Sequence, residues 1–452
     1  MMAGEKESKS EVSPTAGGGA KVLVIGGGGR EHAIVWSLGR SARVGEIVCA
    51  PGNGGIAALA RCVPVDTTDL HGMVQLAATE APDMVVIGPE VPLALGLTDA
   101  LQTRGLRVFG PTRAAAELES SKGFAKRFMQ RHNIPTAKYA ACSSAKEAHE
   151  ALELFEEPLV VKADGLHAGK GVTICATKAE AGQVIDELFS GVLLGKAETT
   201  VLLEELLEGE ELSLLVMSDG RHATPLAPAQ DHKRIGEGDT GVNTGGMGVY
   251  STDAMLSDEM RTWIMHHVAQ PTIDGMAAEG TPFLGVLFLG LMMTARGPMV
   301  LEYNTRFGDP ETQAVLLRLK NDLFEAFESC VDGRLSETEF RWHPGASVCV
   351  VAASGGYPGS YRTGLPIDGL SDAANVPGVV VFHAGTRLDD TIYRTSGGRV
   401  LGVCAAKPTL EAALANAYSA MDRIAFDGMV FRRDIGHRAL GATPAKQEGD
   451  GQ

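Results

Sequence analysis

The stretch Val300-Leu-Glu302-Tyr-Asn304-Thr-Arg306-Phe-Gly-Asp309 carries residue types whose spacing could do chemistry. If residues 300–306 are extended, successive side chains point to opposite faces. Glu302, Asn304 and Arg306 then share one face, and Leu301, Tyr303 and Thr305 the other. A carboxylate beside an amide oxygen offers the hard ligands that Mg²⁺ prefers. An arginine one step further along can neutralise a phosphate that the metal carries. An edge strand with a polar, solvated face is the plainer reading of the same triplet, and these three residues alone do not exclude it.

Other segments bear on that choice. Pro158-Leu-Val-Val-Lys162-Ala-Asp164-Gly165 followed by Ala168-Gly169-Lys170-Gly171-Val-Thr-Ile reads as strand, glycine-rich hairpin, strand. Lys162 closes an apolar run, where a desolvated ammonium needs a partner anion. The loop 169–171 can lie over phosphates, its glycines allowing close approach and Lys170 adding charge; a plain hairpin with an exposed lysine fits equally. No Gly-x4-Gly-Lys-Ser/Thr occurs, so this is not a Walker loop. Next, Glu204-Glu205-Leu206-Leu207-Glu208-Gly209-Glu210-Glu211 joins two apolar strands. It reads either as a solvated turn or as an adenine-and-ribose hinge, with backbone groups at 205–207 meeting the adenine edge and a carboxylate taking the ribose hydroxyls. Gln230-Asp231-His232-Lys233-Arg234 and Asn243-Thr-Gly245-Gly246-Met-Gly248 form the long, glycine-rich kind of loop that is usually functional. His232 reads as a solvated loop histidine. There is no His/Cys spacing for zinc and no Gly-x-Ser-x-Gly elbow for a serine nucleophile.

These residues need a scaffold. Lys21-Val-Leu-Val-Ile25, Glu46-Ile-Val-Cys-Ala50, Met84-Val-Val-Ile87 and Arg107-Val-Phe109 are short apolar runs alternating with helical segments. That pattern predicts a doubly wound parallel α/β domain over 21–121. Its strands run into Gly26-Gly-Gly28-Gly29-Arg30-Glu31-His32, Pro51-Gly-Asn53-Gly-Gly and Gly88-Pro-Glu90. Ligands in such sheets bind outside the carboxyl ends of the strands, so the three loops suit one site. A dinucleotide fingerprint starting at Gly26 would need Gly or Ala at position 31, which is Glu, and the second strand ends without an acid for a ribose. A phosphate cradle at a helix start suits residues 26–29 better. A helix is predicted after Ser121, with Ser121 as its cap and Phe124 and Phe128 on its buried side. Leu410, Leu414, Tyr418 and Met421 recur at helical spacing in the C-terminal region and read as core.

Composition bounds the function classes. The 452 residues are 44% apolar and 21% charged, ordinary for two to four globular domains. The net charge of −16 argues against broad binding to nucleic acid or anionic membrane, so an anionic substrate must be held by local cations and backbone N–H groups. Seven scattered cysteines without Cys-x-x-Cys read as free thiols of a reducing, cytoplasmic compartment. No apolar run reaches membrane-spanning length, and 284–293 reads as a core strand. Residues 1–20 and 441–452 lack periodicity and read as a disordered extension and tail, the former without the apolar core of a signal peptide.

Lys122, Lys162, the Ala-Gly-Lys-Gly171 loop, the acidic run 204–211 and Glu302-x-Asn304-x-Arg306 occur here in the order and spacing of ATP-grasp enzymes. More closely, the chain resembles the glycinamide ribonucleotide synthetase family of that superfamily. Gly-Gly-Arg30-Glu-His-Ala33, Val-Ile-Gly-Pro-Glu90, Lys-Ala-Asp-Gly-Leu-x-Ala-Gly-Lys-Gly171, Gln-Asp-His-Lys-Arg234, Asn-Thr-Gly-Gly-Met-Gly248 and Arg306-Phe-Gly-Asp-Pro-Glu-Thr312 carry the resemblance, with further likeness at 354–359, 382–386 and 398–401. It spans about residues 21–440.

The resemblance implies an ATP-grasp core over 122–343 with a mobile lid near 143–212 that ATP orders, and a C-terminal α/β domain over 344–440. It implies a ligase that makes glycyl phosphate from ATP and glycine and passes the glycyl group to 5-phosphoribosylamine, with Mg²⁺ or Mn²⁺ as cofactor. By resemblance, Lys122 and Lys162 contact the ATP phosphates and Gly169, Lys170 and Gly171 cover them. Glu204, Glu205 and Leu207 form the adenine hinge, and Glu211 takes the ribose. Glu302 and Asn304 hold the metal, and Arg306 stabilises the transferred phosphoryl group. Gly28, Gly29, Arg30, Glu31 and Glu90 meet phosphoribosylamine, while Asp231, Lys233, Gly245, Gly246 and Asp309 close the acceptor side. One departure stands out. Many ATP-grasp enzymes carry a second metal carboxylate on the preceding strand, and residues 285–293 here contain no acid. The expected partners are small molecules, plus a transient contact with the enzyme that supplies phosphoribosylamine, for a monomer or homodimer. The rival readings are another ATP-grasp ligase, such as a biotin-dependent carboxylase, and a nucleotide-binding module without turnover. The Gln-Asp-His-Lys-Arg loop speaks against the first. Intact Lys162, Glu302, Asn304 and Arg306 speak against the second.

Overall fold

The computed structural model describes residues 18–167 and 171–441. Residues 1–17 of the expected extension, the tail 442–452, and Gly169 and Lys170 of the expected phosphate loop lie outside the described residues.

Five strands form the first sheet, in the order Arg61–Cys62, Val44–Pro51, Ala20–Gly26, Met84–Ile87, Val108–Phe109, all parallel. Parallel sheets bury both faces, and the period-2 alternation shows it: Val22 and Val24 enter one apolar core, Leu23 and Ile25 another. The strand order reverses at Ala20–Gly26, which creates the crevice where such sheets bind ligands. The sequence runs were close to the observed bounds, but Arg61–Cys62, two residues without an apolar run, escaped them.

Four antiparallel strands, ordered Tyr139–Cys142, Val201–Glu205, Leu159–Ala163, Val172–Cys175, form a second sheet. Helices Ala145–Ala151 and Lys178–Ser190 cover it and close a core of its own around Leu159, Val161, Ile185 and Leu203. A third sheet pairs Ala223–Pro225, Glu210–Asp219, Leu284–Thr294 and Gly297–Asn304. Helix Lys122–Arg131 packs Phe128 and Met129 against it. Its cap is Ser121, whose Oγ accepts from the Phe124 N–H at 3.0 Å, and this places Lys122 on the first turn.

The fourth sheet runs Gln230–Asp231, Gly248–Thr252, Ala346–Ala353, Arg399–Lys407, Val379–His383. Its first two strands come from the middle of the chain, so the polar loops around Asp231 and Gly245 are pinned to the C-terminal sheet. They also cover the edge of Ala346–Ala353, which is buried throughout. Helix Leu410–Met421 packs on this sheet through Leu410, Leu414 and Met421, with Tyr418 partly buried beside them.

Two expectations change. The strand that carries Glu302 ends at Asn304, and Arg306 lies in the loop beyond it. Pairing with Leu284–Thr294 also slips between Gly290–Glu302 and Leu291–Val300, leaving Leu301 as an extra residue. Val300 and Tyr303 consequently share one core, which strict alternation forbids. The second change concerns His232. It is fully buried rather than solvated, because the C-terminal segment folds over it. Its Nε2 accepts from the Gly436 N–H at 3.1 Å, which leaves Nδ1 to donate to the Gly248 carbonyl at 3.2 Å. Burial and the nearby Arg432 and Arg438 push its pKa down to about 4, so it is neutral.

Candidate active site

Three sheets meet around Glu302. Burial alone would raise the pKa of its carboxyl, but the charges of Lys233, Lys162, Lys122 and Arg306 outweigh that and hold it low. Among the described residues, no group hydrogen-bonds to this carboxylate. With no donor on its oxygens among the described residues, this carboxylate could take a cation, and the four cations around it an anion.

Each cation is positioned from a different element. Lys122 starts its helix and donates Nζ to the Gly165 carbonyl at 2.9 Å. Lys162, near the end of Leu159–Ala163, lies 3.0 Å from Glu204 Oε2 on the neighbouring strand. Lys126, one helical turn beyond Lys122, meets the same oxygen at 2.8 Å. The partner anion that Lys162 demanded is thus Glu204, whose side chain is buried in this pair while its Oε1 has no partner among the described residues. Lys233 reaches Glu211 at 2.8 Å. Glu205 accepts from the Lys138 N–H and from Arg296, and Leu207 is buried beyond the strand end. Arg306 bonds Asn304 Oδ1 at 3.1 Å and sits between Glu119 and Glu90, at 2.9 and 3.5 Å. Glu302, Asn304 and Arg306 therefore do converge, although the last is not on the strand.

A cavity of about 350 Å³ opens next to this cleft, where the N-terminal strand ends face the C-terminal sheet. Gly27, Gly28, Asn53, Asp309, Thr386 and Arg399 line it. Asn53 knits its wall: Nδ2 donates to the carbonyls of Gly27 and His383 at 2.9 and 2.7 Å, and Oδ1 accepts from Gly55 and Ile56 at 2.9 Å each. Gly27 has no room for a side chain, and one on Gly28 would press on a neighbouring carboxylate. A Cβ on Gly28 would meet Glu31 Oε2 at 2.9 Å, and one on Gly27 would strike the Gly52 carbonyl. Arg30 and Glu31 are bonded to each other and to the backbone around them. Glu31 accepts from the Gly28 N–H at 2.6 Å and from Arg30 Nε, and Arg30 donates to the Phe307 carbonyl at 3.0 Å. Arg30 N–H also bonds Asp309 at 3.2 Å, and this turns Asp309 toward Arg399, 3.4 Å away.

Asp231 lies behind the Gly245-Gly246 turn. Gly246 has φ +110, and a Cβ there would lie 2.7 Å from Asp231 Oδ1. That oxygen is buried without a partner among the described residues, and burial with the charge of Glu311 pushes the carboxyl's pKa well up. Residues that pattern reading did not assign include Glu119, Lys126, Asn53 and Arg399. Lys126 had a signal, since it repeats Lys122 at i+4. Asn53 sat in a noted strand-end loop. Glu119 lies on a one-turn helix, Glu117–Ser120, and offered none.

A doubly wound N-terminal sheet, a small antiparallel sheet with its own core and a cationic cleft on one strand-borne carboxylate define an ATP-grasp fold. The comparisons narrow the class. Residues 20–119, 120–312 and 347–438 match the N, ATP-grasp (A) and C domains of phosphoribosylglycinamide synthetase. The chain belongs to that family. It is 48% identical over 424 residues to the phosphoribosylamine–glycine ligase of Xanthomonas axonopodis pv. citri, covering 93% of this chain and 98% of the relative. It is 45% identical over 429 residues to that of Vibrio cholerae, covering 94% and 100%. The crystal structure of the Thermotoga maritima phosphoribosylamine–glycine ligase superposes with a TM-score of 0.80 at 32% identity, covering 92% of this chain and all of that one. The Campylobacter jejuni biotin carboxylase, at 15% identity and a TM-score of 0.70 over 94% and 95% of the two chains, shares the fold.

Proposed function

We infer that this chain joins glycine to 5-phosphoribosylamine at the expense of ATP, a step of purine biosynthesis. One observation carries the reading: Lys122, Lys162, Lys233 and Arg306 converge on Glu302 beside a separate, loop-built cavity. The first is a place for a triphosphate, the second for a phosphorylated amine.

A carboxylate is a poor electrophile, so it needs a leaving group. Transfer of the γ-phosphoryl group of ATP to a glycine carboxylate oxygen supplies one and releases ADP. The phosphoribosylamine nitrogen then attacks the acyl carbon, the acyl–phosphate bond breaks, phosphate leaves and the nitrogen loses a proton. The protein's part is positioning and charge stabilisation. Lys122 and Lys162 hold the phosphates. Glu205 and Leu207 border the adenine, and Glu211 takes the ribose. Arg306 meets the transferred phosphoryl group. Glu302 and Asn304 fit one Mg²⁺ or Mn²⁺, which, when bound, neutralises and orients the nucleotide phosphates. Gly28, Gly29, Asp309 and Arg399 receive phosphoribosylamine. Asp231, buried beside the Gly246 turn, faces the acceptor side. Seven unpaired cysteines support a cytoplasmic setting.

The test is ADP release with Mg-ATP and glycine, phosphoribosylamine being formed in situ from ribose 5-phosphate and ammonia. Release that requires every substrate, matches glycinamide ribonucleotide mole for mole and is lost in Arg306→Ala is expected. Folded, ATP-binding protein that releases no ADP would overturn the reading.

A further inference from the structure

Arg306 stands on a loop, so its guanidinium must be fixed by its partners. Nη2 is shared between Glu119 Oε1 at 2.9 Å and Asn304 Oδ1 at 3.1 Å. Nη1 donates to the Phe307 carbonyl at 3.2 Å. Nε is buried and makes no hydrogen bond among the described residues. The carboxylate nearest to Nε is that of Glu90, which is more exposed and whose Oε2 lies 3.5 Å away.

Glu119 does more than face the guanidinium. Its Oε2 accepts from the Thr305 N–H at 2.7 Å and from the Thr305 hydroxyl at 2.9 Å. One carboxylate therefore grips both the backbone just before Arg306 and the side chain of Arg306 itself. It is buried, at 8% exposure, and stands three residues before Lys122, on the short helix Glu117–Ser120. An amide could not replace it. Donors approach both oxygens, and Gln offers one oxygen and one NH₂, which would meet a donor head-on.

We propose that Glu119 is a positioning residue for phosphoryl transfer. It locks the Arg306 guanidinium in place and ties that placement to the turn that presents Lys122. This rests on the reading of Arg306 given above. The competing account is a buried ion pair that merely fastens the linker to the third sheet.

Glu119→Gln, Arg306→Ala and the double variant separate the two, compared by kcat, by KM and Kd for Mg-ATP, and by thermal unfolding. Positioning predicts that Glu119→Gln lowers kcat about tenfold or more, with Kd for Mg-ATP unchanged within about twofold, and adds nothing to the residual rate of Arg306→Ala. Thr305→Val, which removes one of the bonds that orient the carboxylate but keeps its charge, gives a smaller fall of the same kind. Wild-type kcat in Glu119→Gln beside an inactive Arg306→Ala overturns the inference and leaves the reading of Arg306 intact. A loss of equal size in the Arg306→Ala background, or one that follows lowered unfolding temperature with Thr305→Val unaffected, overturns it in favour of the fastening role. Near wild-type kcat in Arg306→Ala sinks the reading of the arginine, and the inference with it.

Discussion

Gly290 lies directly opposite Glu302 in the antiparallel pair, and a Cβ built on it would come within 3.2 Å of Glu302 Cγ. The strand from which many ATP-grasp enzymes offer a second metal carboxylate here offers empty space instead. The Glu302 side chain uses that space through its Cγ. Gly290→Ala should crowd it. Strand glycine to alanine is otherwise favourable to stability, so function and stability should part. The expected outcome is a rise of about tenfold in the Mg²⁺ concentration giving half-maximal rate at saturating ATP, with unfolding temperature held. A Mg²⁺ titration superimposable on wild type would show that Glu302 is not a metal ligand or has room to yield.

Lys126 and Lys162 share one oxygen of Glu204, and Lys126 is nearly inaccessible at 2% exposure. Burial pulls the Lys126 pKa down to about 8 even with Glu204 beside it. Removing the anion leaves two desolvated ammonium groups without a counter-charge, a cost of about 3–5 kcal/mol. Removing Lys126 leaves a balanced Lys162–Glu204 pair. Glu204→Gln should therefore lower stability far more than Lys126→Met, as read by urea unfolding. The opposite ranking would mean that Lys126, not Glu204, is the group the cluster cannot lose.

Much of this was legible in the residues because it rests on local pattern. The parallel strands announced themselves as apolar runs ending in glycine, and Ser121 and the Leu410–Met421 spacing marked helices that the structure contains. Lys162 after an apolar run demanded an anion, and Glu204 supplies it. What stayed hidden is long-range. The pairing of Glu119 with Thr305 spans 186 residues, and the burial of His232 depends on Gly436, 204 residues away. The slipped pairing at Leu301 comes from the partner strand, so period-2 counting through 300–306 placed Arg306 on a strand that had already ended. Arg399 belongs to the cavity only because the C-terminal sheet folds back onto the N-terminal loops.

Three buried histidines make stability fall in mild acid. Burial lowers the pKa of His32 to about 3, and those of His383 and His232 to about 4, from an ordinary 6.5. The His383 N–H donates to His32 Nδ1 at 2.8 Å, a bond that a protonated ring could not accept. Unfolding exposes all three, so the unfolded chain binds more protons between pH 6.5 and 4. Stability therefore rises with pH in that window and is lost as pH falls through it. Each of the three contributes up to ~1.4 kcal/mol per pH unit to that slope. Urea unfolding at pH 7.0, 6.0 and 5.5 measures it. A flat profile over that range would mean the rings are hydrated or already charged in the fold.

Arg399 bridges three parts of the chain at the mouth of the cavity. It donates to the Asp309 carbonyl at 2.7 Å and to the Gly245 carbonyl, and its Nη2 lies 3.4 Å from Asp309 Oδ1. It is also the cationic side chain that lines the cavity. A phosphorylated amine bound there should feel both its charge and the loop order it imposes. Arg399→Met keeps the aliphatic bulk and removes the guanidinium. The expected result is a rise in KM for phosphoribosylamine of about tenfold or more, equivalent to ~1.4 kcal/mol of binding, while KM for ATP changes by less than about twofold. Varying the acceptor at saturating ATP and glycine reads the first, and varying ATP at saturating acceptor reads the second. An unchanged acceptor KM would place phosphoribosylamine outside this cavity. A parallel rise in the KM for ATP would show that the cavity and the cationic cleft act as one site rather than as adjoining ones.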